Sequence, residues 1–386
     1  MGNIIRRSLC SIFVLICAAL AFAGAADAFT GGGFSVCEGE DIYVSGAVRY
    51  ELLTEDGGEE DGLRTATVRV LGIPIKNVSV SVFKNTGVIP GGQSFGMRLH
   101  TQGAVVSGTA EVVCADGTAD PASDAGLQSD DVIISVNGEP VDSAAGFTAA
   151  VNESGGRTLL IGYRRGGAEY TTKLTPVKDK DGFYRSGLWV RDTVAGIGTV
   201  TFIVPESGAF GGLGHGICET DTGELLPFLS GDVYEAHITG VKAGKNGEPG
   251  ELHGYFDKEP CGKLTANRQC GVFGVLYDAL GSGTVGIALK DRVREGNVKL
   301  LCTVDGTGVH EYDAKITRIL SYGKEGKNFI VKVTDPRLLS KTGGIVQGMS
   351  GSPILQDGKL IGAVTHVLIN DPSRGYGIFI ENMLEQ

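Results

Sequence analysis

Apolar and polar residues alternate through Thr65-Ala66-Thr67-Val68-Arg69-Val70 and again through Val78-Ser79-Val80-Ser81-Val82. A period of two places every second side chain on one face of a β-strand. Short apolar stretches punctuated by glycine recur at residues 198–204, 271–277, 283–290 and 299–304, which predicts further strands joined by tight turns. Residues 354–366 form two apolar runs around Asp357-Gly358-Lys359, the pattern of a β-hairpin. Only residues 144–152 read as a helix, and no repeat of fixed period emerges. The expected fold class is mainly β.

The order of these segments divides the chain. Residues 29–92 form an N-terminal β-rich region. Residues 93–176 follow the order of a PDZ domain: an apolar-Gly-apolar loop at Ser94-Phe95-Gly96-Met97, a turn at 121–127, a strand and Asn137-Gly138 turn within 130–138, and the helix at 144–152. In such a domain a peptide adds as a strand, and loop N–H groups receive its carboxylate. The expected peptide-binding residues are Phe95, Gly96 and Met97, with Phe147 and Val151 on the helix. An inert spacer is the plainer alternative. Residues 177–196 read as a connector, polar through Lys178-Asp179-Lys180-Asp181, and residues 197–386 as the last domain.

Composition narrows the function. With 386 residues, 42% of them hydrophobic, the chain can bury more than one core. A net charge of -11 argues against nucleic acid, because phosphate binding needs clustered Lys and Arg. Arg6 and Arg7 precede an apolar run at residues 9–23 and then Ala26-Asp27-Ala28, so residues 1–28 are expected to be a signal peptide or a membrane anchor. Beyond that segment lie Cys37, Cys114, Cys218, Cys261, Cys270 and Cys302. Cys261 and Cys270 are the first choice for a disulfide, with free buried thiols the alternative. No close Cys or His pair suggests zinc, and no metal or other cofactor is expected.

The candidate chemistry lies in Gly348-Met349-Ser350-Gly351-Ser352-Pro353. A glycine two places before a serine permits a sharp turn, after which the N–H groups of Gly348 and Ser350 can face one oxyanion. Upstream, Gly211-Gly212-Leu213-Gly214-His215-Gly216 offers His215 as a base. Taken singly, a Gly/Ser-rich stretch is more often a plain loop and a histidine among glycines a turn residue. Together, with histidine before serine, they point to nucleophilic catalysis by Ser350. The strand after the hairpin turn would line the specificity pocket with Gly362 and His366, although His366 reads more readily as a structural residue.

Residues Gly212-Leu213-Gly214-His215-Gly216-Ile217, Val333-Thr334-Asp335-Pro336, the run from Gly343 through Ser350 to Ile354, and Ile361-Gly362-Ala363-Val364-Thr365-His366-Val367 resemble the peptidase domain of the stage IV sporulation protein B family. Ile73-Pro74-Ile75-Lys76 and Val88-Ile89-Pro90-Gly91-Gly92 resemble that family's approach to its PDZ domain. The resemblance implies a chymotrypsin-like double-barrel serine peptidase secreted across the forespore membrane. It would cleave a membrane-anchored regulatory protein, and itself, to trigger sigma-factor processing. It also implies His215 as base, Ser350 as nucleophile and Asp335 as the orienting carboxylate. Asp335 lies only 15 residues before Ser350, and Asp305, Asp313 and Asp371 compete for its role. Two other classes stay open: a PDZ scaffold with an inactive peptidase region, and a quality-control protease of the high-temperature-requirement type, which carries its PDZ after the peptidase domain.

Overall fold

The alternating segments become strands where their period requires it. The computed structural model describes residues 34–37, 43–44, 48–52, 63–70, 73–83, 87–218, 223–278, 283–320 and 326–384. The expectations for residues 1–28 and for the acidic loop at 55–61 lie outside these. The chain divides into two compact units, Met1–Thr86 and Gly87–Gln386. In the first, β1 (Phe34–Cys37), β2 (Tyr43–Val44), β3 (Val48–Leu52), β4 (Leu63–Val70) and β5 (Ile73–Phe83) form one sheet in the order β1-β5-β4-β3-β2. Both alternating segments of the sequence lie in the β4–β5 hairpin. Its register shifts beside the Arg69–Pro74 pair, where proline has no N–H for the ladder.

The second unit opens with β6 (Ile89–Pro90) and β7 (Ser94–Thr109), then β8 (Val112–Cys114), β9 (Gly117–Ala119), α1 (Pro121–Asp124), β10 (Val132–Val136) and β11 (Glu139–Pro140). Asn137 and Gly138 close the β10–β11 hairpin with φ of 52° and 87°. Ser143 caps α2 (Ala144–Glu153) by accepting the Gly146 N–H at 3.0 Å. Next come β12 (Leu159–Arg165), β13 (Ala168–Leu174), β14 (Val177–Lys178) and β15 (Tyr184–Arg185). Phe147 and Val151 of α2 are buried with Ala104, Ile133, Ile161 and Leu174. Asp131, fully buried, takes a two-pronged ion pair from Arg165 at 2.6 Å and so keeps its charge partnered.

The rest comprises β16 (Leu188–Ile203), β17 (Ala209–Gly212), β18 (Phe228–Lys242), β19 (Glu251–Phe256), β20 (Gly262–Arg268) and β21 (Gly271–Leu276). After these come β22 (Gly296–Cys302), β23 (His310–Ile319), β24 (Phe329–Val333), α3 (Pro336–Thr342), β25 (Pro353–Gln356), β26 (Lys359–Val367), β27 (Arg374–Phe379) and α4 (Ile380–Leu384). Strands β22 to β27 close a barrel, filled by Leu300, Ile316, Phe329, Val331, Ile354, Ile361 and Val364. Side chains of this size each gain about 1.5–3 kcal/mol on full burial. Strands β16 to β21 belong instead to one 12-stranded sheet that also contains the PDZ strands.

That shared sheet corrects three expectations. Residues 188–196, read as connector, are the first half of β16, which pairs antiparallel along β7 from Leu188–Thr109 to Thr199–Ser94. Phe95, Gly96 and Met97 are no open loop, because β16 pairs with them on one side and β18 on the other. A peptide would find no free edge there, and Gly96 is needed because a Cβ would stand 2.4 Å from the Phe256 ring. Phe147 and Val151 are 1% and 3% exposed, in the core and not in a groove. Beside α2 the PDZ sheet is continued by the chain itself: Leu188 and Val190 pack on the PDZ core, and Asp192 accepts the Ala144 N–H at 3.0 Å. Cys261 and Cys270 form no disulfide. They flank the seven extended residues of β20, about 20 Å of strand, whereas a disulfide spans Cα atoms within about 7 Å.

Candidate active site

The loop that carries Ser350 is shaped by glycine. Helix α3 stops at Gly343, φ 73°, and the chain then crosses residues 345–352 with Gly348 at φ 96° and Gly351 at φ 95°. Met349 between them is fully buried in the barrel core, which anchors the loop and leaves Ser350 half-buried beside it. Two peptide planes are then fixed. The Gln347 carbonyl accepts the Leu252 N–H at 2.9 Å, and the Met349 carbonyl accepts both the N–H and the hydroxyl of Ser352, at 3.0 and 2.6 Å. In a trans peptide the N–H points opposite to the C=O, so the N–H groups of Gly348 and Ser350 are aimed away from these partners. Among the described residues neither N–H is spent on an acceptor. Two oriented, unspent donors beside a serine are what an oxyanion hole requires.

His215 reaches the same place from β17. Leu213 and Gly214 turn the chain with φ of 65° and 68°, and Gly214 lies against Thr365, Val364 and Ile378 of the barrel. The His215 Nδ1 stands 2.9 Å from the Gly216 carbonyl. With the proton on Nδ1 donated there, Nε2 is left as the basic nitrogen. Burial pushes the pKa of His215 below its ordinary value, against a smaller opposite pull from Gly216, so the ring is neutral at neutral pH. The His366 ring lies with its centroid 4.7 Å from that of His215, tilted by 35°. Partial burial, then the charges of His215 and Lys327, press the His366 pKa down to about 4.

Ser350 and His215 meet through β26. The Ser350 hydroxyl donates to the Thr365 carbonyl at 2.7 Å, one residue before His366, and no hydrogen bond joins it to His215 among the described residues. Oγ must leave the Thr365 carbonyl before its proton can pass to a base. A cleft of about 770 Å³ is lined by Leu225, Phe228, Arg268, Gln269, Ile378 and Asn382, and neither His215 nor Ser350 belongs to its lining. The Gln269 carbonyl accepts the Gly216 N–H at 3.2 Å, which joins the cleft wall to the histidine loop.

Asp335 is placed elsewhere. Its carboxylate caps α3 by accepting the Arg337 N–H at 2.8 Å and is gripped by the Arg337 guanidinium at 2.8 and 3.1 Å. That guanidinium holds the carboxyl well below the usual carboxylate range. The Thr365 hydroxyl binds the Gly326 carbonyl just before β24 begins, whereas Asp335 follows its end, and β24 alone spans about 13 Å. The orienting role expected of Asp335 is therefore not realised in this geometry. Nor do its competitors supply it: Asp305 is paired with Lys341, Asp313 with Lys299 and Asp371 with Arg374. Gly362, expected in a specificity pocket, serves strand packing, since a Cβ there would stand 1.9 Å from the Ile378 carbonyl oxygen. His366 is brought to the site. Thr199, which holds both loops in place, carried no signal in the sequence beyond belonging to a strand, whereas Thr365, Gly216 and Ser352 lay inside the quoted motifs without a role assigned to them.

A mainly β body with a histidine loop and a glycine-flanked serine against one barrel defines a serine peptidase, and the comparisons agree. The family model described as SpoIVB peptidase S55 matches residues 182–384, more than half of the chain, and that for the PDZ domain matches residues 95–175. The chain belongs to the SpoIVB peptidase S55 family. Among solved structures it is similar to the PDZ domain of the SdrC-like protein from Listeria monocytogenes, at 23% identity over 23% of this chain and 87% of that one, with a TM-score of 0.19. No curated protein matches it.

Proposed function

We propose that this peptidase acts in sporulation signalling, outside the cytoplasm, by cutting a membrane-anchored regulatory protein and its own chain. The family supports the sporulation setting, and the apolar run at residues 9–23 behind Arg6 and Arg7 supports export or anchoring. Ser350 is the nucleophile, His215 Nε2 the base, and the N–H groups of Gly348 and Ser350 receive the oxyanion. The Gly216 carbonyl takes the tautomer-fixing place that a carboxylate holds in a His/Asp/Ser triad.

The observation that carries the reading is the pair of unspent N–H groups at Gly348 and Ser350, set against the loop of a neutral His215. In attack, Oγ leaves the Thr365 carbonyl, passes its proton to Nε2 and bonds the scissile carbon, and the imidazolium returns that proton to the leaving amine. A second reading, a PDZ scaffold with a silent peptidase, is favoured by the Ser350–Thr365 hydrogen bond, which keeps the hydroxyl off the base. Fluorophosphonate labelling of the full chain separates them. The peptidase reading expects labelling that disappears in Ser350→Ala and falls steeply in His215→Ala, with self-cleavage fragments lost in both. A folded wild type that takes no label supports the scaffold.

A further inference from the structure

We propose that Thr199 is the positioning residue of this site, the single group on β16 that locks the serine loop and the histidine loop into one arrangement. The inference rests on Ser350 being the nucleophile. Thr199 is fully buried and uses all three of its polar groups on the two loops. Its N–H donates to the Ser350 carbonyl at 2.9 Å, its hydroxyl donates to the Gly348 carbonyl at 2.8 Å, and its carbonyl accepts the Leu213 N–H at 3.2 Å, two residues before His215. Thr201, equally buried on the same face of β16, adds a hydroxyl bond to the Gly351 carbonyl at 2.7 Å.

The geometry gives this contact its leverage. The Ser350 N–H belongs to the 349–350 peptide plane, which is flanked by the 348–349 and 350–351 planes, and Thr199 pins the carbonyls of both. Gly348 and Gly351 have no side chains to hold their own backbone, so without the Thr199 bonds the 348–349 plane keeps only the Met349 N–H to Val346 carbonyl bond at 3.1 Å and the 350–351 plane only the Gly351 N–H to Val364 carbonyl bond at 2.8 Å, and the 349–350 plane between them is held less tightly. An oxyanion donor acts only when it stands close to where the negative charge develops, and misplacement by about 1 Å costs about 10²-fold in rate. Thr199 thus sets transition-state stabilisation without touching the substrate. Its removal must lower kcat and leave KM nearly unchanged.

The test uses the full chain with p-nitrophenyl acetate as substrate and phenylboronate as the tetrahedral probe. Thr199→Val keeps shape and backbone N–H but deletes the hydroxyl. It is expected to lower kcat by about 10- to 100-fold, part of the loss seen on deleting an oxyanion donor, with KM within about twofold and weaker boronate binding. Thr199→Ser restores the hydroxyl and must restore kcat. A Thr199→Val enzyme with wild-type kcat and boronate affinity, while Ser350→Ala is dead, overturns the inference and leaves the nucleophile standing. Should Thr199→Val fail to fold, Thr199→Ala, which also deletes the hydroxyl and keeps the backbone N–H, carries the same test, and wild-type kcat there overturns it too. An unreactive wild type overturns the nucleophile reading and this one with it.

Discussion

Gly351 is where sterics and chemistry are most tightly joined, and Gly351→Ala tests both. A Cβ at this position would stand 2.0 Å from the Thr199 carbonyl oxygen and 2.5 Å from the Leu213 nitrogen, at φ 95°. Neither neighbour is a flexible side-chain end, so the loop must retreat by about 1.5 Å to reach ordinary contact distance. Such a retreat strains or breaks three bonds: Thr201 Oγ1 to Gly351 O at 2.7 Å, Gly351 N to Val364 O at 2.8 Å and Thr199 N to Ser350 O at 2.9 Å. At about 0.5–1.5 kcal/mol each, with about 1–3 kcal/mol for the backbone conformation, the cost is roughly 3–7 kcal/mol. That is a large part of the ordinary stability of a domain, about 5–15 kcal/mol. Urea unfolding and the fluorophosphonate labelling rate read the two consequences. Gly358→Ala is the control, since Gly358 has φ 78° but open space around it, and its cost is the conformational strain alone, about 1–2 kcal/mol. If Gly351→Ala matched Gly358→Ala in both stability and labelling, the packing of the serine loop against β16 would be wrong.

Three further outcomes are expected. Asp335→Asn keeps an N-cap acceptor and should label within about threefold of wild type, whereas Asp335→Ala loses the cap at about 0.5–2 kcal/mol in urea unfolding; a drop near 10⁴-fold in Asp335→Asn labelling would return the carboxylate to the triad. Because burial lowers the His215 pKa, the base form persists below pH 6.5, so the midpoint of labelling against pH should lie below 6.5; His366→Ala, which opens the ring to water, should raise it, and a wild-type midpoint above 7 refutes the burial argument. The same shift adds stability that is present above about pH 6.5 and lost as pH falls through the folded pKa. Gly96→Val drives a side chain into the Phe256 ring and should lower stability and labelling together; loss of peptide binding with intact labelling would instead restore the loop reading of residues 94–97.

The parts of the site legible in the sequence share one property: their physical cause is local. Gly348 and Gly351 stand where φ is positive, a requirement visible as glycine spacing around Ser350. The hairpin turn at Asp357 and Gly358, with φ of 51° and 78°, was equally readable. The PDZ strands, turns and helix could be ordered for the same reason. Gly96 misled because glycine in a carboxylate loop and glycine beneath an aromatic ring look identical in one dimension. Asp335 misled because Asp-Pro before a helix serves a cap as well as it would serve a triad, and only the position of Arg337 decides between them.

By itself the sequence determined the mainly β class, the serine loop, the histidine segment and the order of PDZ before peptidase, because period, turn chemistry and side-chain type act over a few residues. The tertiary structure decided the rest. It chose β16 and β18 as the partners of residues 94–99, sent Asp335 to the far end of β24, laid His366 on His215, and brought Thr199 to Gly348 across 149 residues of chain. Ladder pairing and buried hydrogen bonds are chosen by competition among all strands and donors within reach, and no local pattern records which partner wins.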